Sequence, residues 1–260
     1  MLCLSSMHRK DKLSGGLSLL ELLLVVSSIA ILATLILAGM NVTKSRSRRI
    51  ICLNNIRQIG LGLRLYIDDF SDQTPKTPST KANPFLSYYG YKQLVESYFG
   101  ISDDPSPQNE LFACPSDTFY YGVSNGIKVR ITQSLHSQPF TDFLSYGFNA
   151  GNVDTNINRF GVDSSLLGIS GRTLSSIKSP ARTVFLLEAP ASGPFSWHHP
   201  RRTLDRQNER FNDAMNMLSF VDGHVSYLKI YWSDTTTNGA SLSAMHENPP
   251  AAYGYQWHGD

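Results

Sequence analysis

Residues 17–40 form one run of apolar and small residues, broken by a single charge at Glu21. About 24 residues at 1.5 Å each give about 36 Å of helix, enough to cross a hydrocarbon core of about 30 Å. No proline interrupts the run. A carboxylate inside such a segment costs about 2.5–3.5 kcal/mol on insertion scales, so Glu21 needs a reason to be there. From Arg48 the pattern changes but stays helical. Cys52, Ile56, Ile59, Leu63, Tyr66, Ile67 and Phe70 recur at three- and four-residue steps, while Arg49, Asn54, Asn55, Arg57, Gln58, Arg64 and Asp68 fill the other side. The spacing predicts an amphipathic helix whose apolar stripe packs on a sheet. Asp68-Asp69-Phe70-Ser71-Asp72, followed by Pro75 and Pro78, ends it. One helix is therefore expected from Leu17 to about Phe70.

Residues 71–260 read as short strands, turns and long loops. Thr183–Leu187 is an apolar run after Ser179-Pro180 and predicts a buried strand. Met215–Phe220 and His224–Tyr231 predict the arms of a β-hairpin, with Asp222-Gly223 as a two-residue turn. A hairpin turn explains Asp222 and Gly223 without a catalytic role. Residues 75–84 are the most linker-like stretch. The fold class expected is α+β, a long N-terminal helix packed on an antiparallel head.

The net charge of +2 gives little reason to expect bulk nucleic-acid binding. Arg201, Arg202, Arg206 and Arg210, interspersed with Asp205 and Glu209, read as a solvated loop. Three cysteines are present, Cys3, Cys52 and Cys114, and none forms a Cys-x-x-Cys pair, so no structural zinc site is expected. Two readings of Cys52 and Cys114 stay open: a disulfide in an exported domain, or two separate small apolar residues. His198 and His199 are adjacent, and in a strand they would point to opposite faces. Asp68, Asp69 and Asp72 offer oxygen ligands, but the EF-hand spacing is absent. No metal or other cofactor is expected, with calcium left open and unmapped. Aromatics in 83–100 and 119–122 read as core rather than as a sugar platform. No nucleophile elbow, Walker loop, dinucleotide fingerprint or zinc-protease helix occurs, so no catalytic residue, small-molecule substrate or enzymatic activity is expected.

Gly16-Leu17-Ser18-Leu19-Leu20-Glu21, after a leader carrying Arg9, Lys10 and Lys12, resembles the type IV prepilin signal. That signal has a glycine before the cut and a glutamate at the fifth mature position; Leu17 stands where the family usually has Phe. The resemblance implies a leader of residues 1–16, cleaved between Gly16 and Leu17 by a prepilin peptidase that also methylates the new N-terminus. It implies that Glu21 pairs with that terminus on a neighbouring subunit and sets the stagger of assembly. An ordinary secretory signal has a shorter apolar core and a small-x-small cut after it. An uncleaved single-pass anchor is the other competing reading; neither accounts for Glu21.

Further segments are similar to bacterial prepilin-like proteins related to the pseudopilins. They are Cys52-Leu53-Asn54-Asn55-Ile56-Arg57-Gln58-Ile59-Gly60, Phe112-Ala113-Cys114-Pro115-Ser116-Asp117, Ser145-Tyr146-Gly147-Phe148-Asn149 and Asp222-Gly223-His224-Val225. The family usually has a His ten residues before the Asp of Asp-Gly; here Asn212 stands there. The resemblance implies a pilin-like fold. Residues 17–40 form the membrane or assembly half of the helix, 41–70 its soluble half, and 71–260 a periplasmic head. It implies a subunit of a type II secretion pseudopilus or type IV pilus-like filament. Its partners are the peptidase/methyltransferase, other pilin-like subunits and an inner-membrane assembly platform. Arg9, Lys10 and Lys12 favour a cytoplasmic leader, against Lys44, Arg46, Arg48 and Arg49 on the far side, and the resemblance implies that orientation, with a single pass through the inner membrane and the head in the periplasm, or on the cell surface within a filament. The alternative is a membrane-tethered module that binds glycan or DNA and does not polymerise.

Overall fold

The computed structural model describes residues 18–76, 86–101, 109–124, 127–154, 161–193, 195–200, 212–231 and 248–259. The chain divides into two units, 1–45 and 46–260. The first described element, α1, runs Leu19–Asp69. Within the first unit, Leu19–Ile36 is long and apolar enough to cross a membrane, as an anchor or as a signal sequence. Its side chains lie exposed, Leu19 at 85% and Leu35 at 68%.

The second unit begins with the amphipathic part of α1. Cys52, Ile56, Ile59, Leu63 and Ile67 are fully buried. Burying each of the four aliphatic side chains, Ile56, Ile59, Leu63 and Ile67, stabilises by about 1.5–3 kcal/mol relative to exposure. Two positions differ from the sequence pattern. Phe70 is exposed and stacks on Tyr66 at 4.4 Å, because α1 stops at Asp69 and the chain turns away through positive φ at Ser71 and Asp72. Asn55, expected on the polar side, is buried, and its amide donates to the carbonyls of Glu110 (2.9 Å) and Ala113 (3.1 Å).

A four-stranded antiparallel sheet receives this stripe. Its strands are β3 (Tyr146–Phe148), β6 (Val184–Glu188), β7 (Ala214–Phe220) and β8 (Val225–Ile230), in the order β3-β6-β7-β8. Two smaller hairpins pair β1 (Tyr120–Ser124) with β2 (Ile127–Ile131) and β4 (Gly151–Asp154) with β5 (Gly161–Leu167). Helices α2 (Leu86–Tyr89), α3 (Tyr91–Val95) and α4 (Ala189–Ser192) are short. Every residue of β6 is buried, since both faces of the sheet are covered. On one face Phe185 and Leu186 join the α1 stripe in one core. On the other, Val184, Leu187, Leu218 and Phe220 pack with Tyr255 and Trp257 of the C-terminal segment. That segment is tied down where Val184 N–H donates to Gln256 O and Gln256 N–H to Arg182 O. The α+β class and the antiparallel sheet expected from the sequence are present.

The β7–β8 hairpin lies where the pattern placed it, but its connection is longer than the Asp222-Gly223 pair. Phe220 N–H donates to His224 O and Gly223 N–H to Phe220 O, so Val221, Asp222 and Gly223 form a three-residue loop. Only Gly223 has positive φ there, at 95°. A glycine at positive φ closing a three-residue loop is a common hairpin connection.

Candidate functional site

Gly16 and Leu17, the processing residues inferred from the sequence, lie outside the described residues, as do Arg201, Arg202, Arg206, Arg210 and His246. Glu21 sits in the first turn of α1. Its Oε2 accepts the Ser18 N–H at 2.9 Å, while the Ser18 Oγ accepts the Glu21 N–H at 3.2 Å. This reciprocal arrangement is a capping box, which satisfies two backbone donors at the start of the helix. Glu21 therefore has a local structural role within its own chain.

Cys52 and Cys114 are joined by a disulfide, with Cα atoms 5.1 Å apart. The bridge links α1 to the loop after the Glu110–Phe112 turn. Asn55, one turn along α1, holds the same loop through its two carbonyl contacts. On the other side of the loop, Cys114 N–H donates to Ser145 Oγ at 2.9 Å, and Ser145 N–H to Phe112 O at 2.8 Å.

Two further groups meet the disulfide. Glu188, the last residue of β6, is fully buried. Its Oε2 accepts the Met217 N–H at 2.9 Å, and its Oε1 lies 2.8 Å from His198 Nε2 and 3.7 Å from Cys114 Sγ. The His198 side chain is 2% exposed, whereas His199 is exposed. Tyr227 meets the His198 ring edge-on at 5.8 Å and carries the Arg49 guanidinium 5.1 Å above its own ring. Burial pushes the Tyr227 hydroxyl up to about 12. The ligand atoms of Cys52, Cys114, Glu188 and His198 all lie within 4.8 Å of one another.

Ser145, His136 and Asp117 also converge, but not as a relay. Ser145 Oγ donates to Asp117 Oδ2 at 2.8 Å, and His136 Nδ1 faces that same oxygen at 3.0 Å and Ser145 Oγ at 3.4 Å. A triad needs its histidine to use one nitrogen on the serine and the other on the carboxylate. Here one nitrogen faces both groups, and Ser145 is fully buried. Asp117 instead accepts the Leu135 and His136 N–H groups and caps the Leu135–Ser137 turn.

The acidic cluster at the end of α1 is engaged internally. Asp72 accepts from Ser175, which holds its carboxyl below the ordinary range, and Asp69 accepts the Tyr98 hydroxyl at 2.6 Å. The aromatic segment around 119 faces inward: Phe119, Phe195 and Trp197 are buried, and the Trp197 indole donates to Phe119 O. Asp222 and Gly223 occupy the β7–β8 turn, where Asp222 Oδ1 accepts the His224 N–H and Phe220 stacks on the His224 ring at 4.2 Å. Asn212 is exposed just before β7, its side-chain oxygen accepting the Asp213 N–H. The Glu188–His198 pair carries no local motif. Its sequence signals are a glutamate that directly continues an apolar strand and the adjacent His198-His199, which nothing in the sequence links to each other. Comparison with protein-family models, with curated proteins and with solved structures found no match for the chain.

Proposed function

We propose that this chain is a structural subunit of a type II secretion pseudopilus or type IV pilus-like filament, cut between Gly16 and Leu17 and assembled through its N-terminal helix. The observation that supports this reading most is the exposed apolar surface of Leu19–Ile36, with Glu21 as its sole charge. Apolar surface of that extent needs a non-aqueous surrounding, a bilayer before assembly and neighbouring helices after it. The capping box is compatible with cleavage, because Ser18 and Glu21 both lie in the mature chain. After cleavage Glu21 has two candidate partners, the Ser18 N–H of its own chain and the terminal ammonium of a neighbour. The second offsets more of the cost of a carboxylate in a dry environment. The work of such a subunit is mechanical, and the buried network around Cys114 fits a head that must keep its shape.

N-terminal mass analysis of protein extracted from membranes tests this reading. A chain starting at an N-methylated Leu17 is expected. An intact Met1, or a cut beyond Met40, would overturn it; the intact form would favour a tethered glycan- or DNA-binding module.

A further inference from the structure

A disulfide is neutral and apolar, and it needs neither a carboxylate nor an imidazole beside it. Yet Glu188 and His198 are pressed against Cys52–Cys114 at 0% and 2% side-chain exposure. Desolvating two ionisable groups costs several kcal/mol each unless their geometry compensates. In the disulfide state the 2.8 Å contact between the two groups and the Met217 N–H offset part of that cost, and a cation held by the same four side chains would offset more of it once the bridge opens. We propose that, when the disulfide is reduced, Cys52, Cys114, Glu188 and His198 form a four-coordinate site for a thiophilic divalent cation, with Zn²⁺ as the expected occupant.

The donor set fits that ion. Two thiolates, an imidazole and a carboxylate favour zinc over calcium or magnesium, which take oxygen ligands. Zinc bonds of about 2.3 Å to sulfur and about 2.0–2.1 Å to nitrogen and oxygen put ligand atoms about 3.2–3.8 Å apart in a tetrahedron. The four donor atoms already lie within 4.8 Å of one another. Rotation about the two cysteine Cα–Cβ bonds frees the sulfurs to separate. The donors come from four parts of the fold: α1, the loop after Glu110–Phe112, the end of β6 and the segment before β7. Glu188 is aimed by the Met217 N–H, and the His198 ring is steadied by Tyr227. Such supporting contacts are what metal sites use to fix their ligands.

The step balances with a dithiol as reductant. Its two electrons and two protons break the S–S bond and give two thiols, and the reductant closes to its own disulfide. Zn²⁺ then displaces both thiol protons to solvent. The imidazole proton moves from Nε2 to Nδ1, leaving Nε2 to bind. Oxidation runs the sequence backwards and expels the ion, so the chain holds either a disulfide or a metal.

The test uses the full chain in detergent, reduced anaerobically with a phosphine and titrated with Co²⁺, then Zn²⁺. The expected result is the red absorption of tetrahedral cobalt with a thiolate charge-transfer band, at about one ion per chain. Zinc should displace the cobalt, and diamide oxidation should release it with the loss of both thiols. His198→Gln and Glu188→Gln should each weaken binding by at least about 10-fold. The proposal is overturned if the reduced chain shows no such spectrum, or if the oxidised chain binds equally well. Cobalt affinity unchanged in both variants would overturn it too, because the ion would then sit on the cysteines alone. A reduced chain that unfolds and stays unfolded with zinc counts against it equally.

Discussion

Reduction of Cys52–Cys114 without metal should destabilise the second unit chiefly through its unfolded state. The bridge closes a loop with a sequence separation of 62. Loop-closure entropy for that length is about 14 cal/mol/K, or about 4 kcal/mol at 25 °C. The loop's native hydrogen bonds do not involve the sulfurs and should survive reduction. They are the Asn55 amide on the Glu110 and Ala113 carbonyls and the Cys114 N–H on Ser145 Oγ. The loss should therefore approach the full entropic figure rather than exceed it. A unit of about 215 residues unfolds with an entropy of about 0.45 kcal/mol/K, so the thermal midpoint should fall by about 9 °C. The assay is thermal and urea denaturation of the full chain in detergent with a chelator, followed by the fluorescence of the buried Trp197 and Trp257. The urea slope should rise on reduction, since an uncrosslinked unfolded chain exposes more surface. A midpoint that moves by less than about 3 °C would refute the loop-entropy account.

Other changes test other parts of the fold. Glu188→Leu leaves the Met217 N–H and His198 without their acceptor and should cost about 3–5 kcal/mol in urea denaturation, with Glu188→Gln costing clearly less. Gly168→Ala would set a Cβ 2.4 Å from Gly151 N and 2.5 Å from Asn149 O. Backbone cannot yield there as a side chain can, so a loss of about 1–3 kcal/mol is expected, and a wild-type melting curve would refute the crowding. Burial pushes Tyr227 up from 10.0 to about 12. The unfolded chain then loses its phenol proton first, so stability should hold below about pH 10 and fall from there towards pH 12. Urea midpoints across that range, with ultraviolet titration of the phenols, measure it. Glu21→Val should leave membrane insertion intact and impair assembly, read by crosslinking of co-expressed wild-type and variant chains; equal incorporation would count against a pairing role.

The stripe from Cys52 to Ile67 was legible because burial there follows helical spacing directly. Asn55 was not, since a polar residue is placed on the wet side by pattern alone. Its burial depends on carbonyls at Glu110 and Ala113, more than 50 residues away. The hairpin was legible from its apolar arms, but the length of its turn was set by the Phe220–His224 pairing. The Ser18-x-x-Glu21 capping signature stands in the sequence in full, although Glu21 is more readily read as an isolated membrane charge. The adjacent histidines were visible, but the pairing of His198 with Glu188 was beyond reach. These two are ten residues apart, in an irregular segment and at a strand end, and only the path of the chain between them brings them to the disulfide.

Two kinds of fastening hold the loop around Cys114, and they respond differently to chemistry. The disulfide acts mainly on the unfolded chain and disappears under reduction. The contacts from Asn55 and Ser145 are native-state hydrogen bonds, each worth about 0.5–1.5 kcal/mol net, and no redox change touches them. Because they flank Cys114 from both sides, opening the S–S bond does not free the loop to swing away. The two sulfurs should then stay near each other and near Glu188 and His198, with the carboxylate oriented by the Met217 N–H that already holds it in the disulfide state. A disulfide whose loop depended on the bridge alone would lose that geometry on reduction and leave no site behind. The redundancy at Cys114 is what allows one set of side chains to serve both as a covalent strut and, when reduced, as a preorganised ligand set.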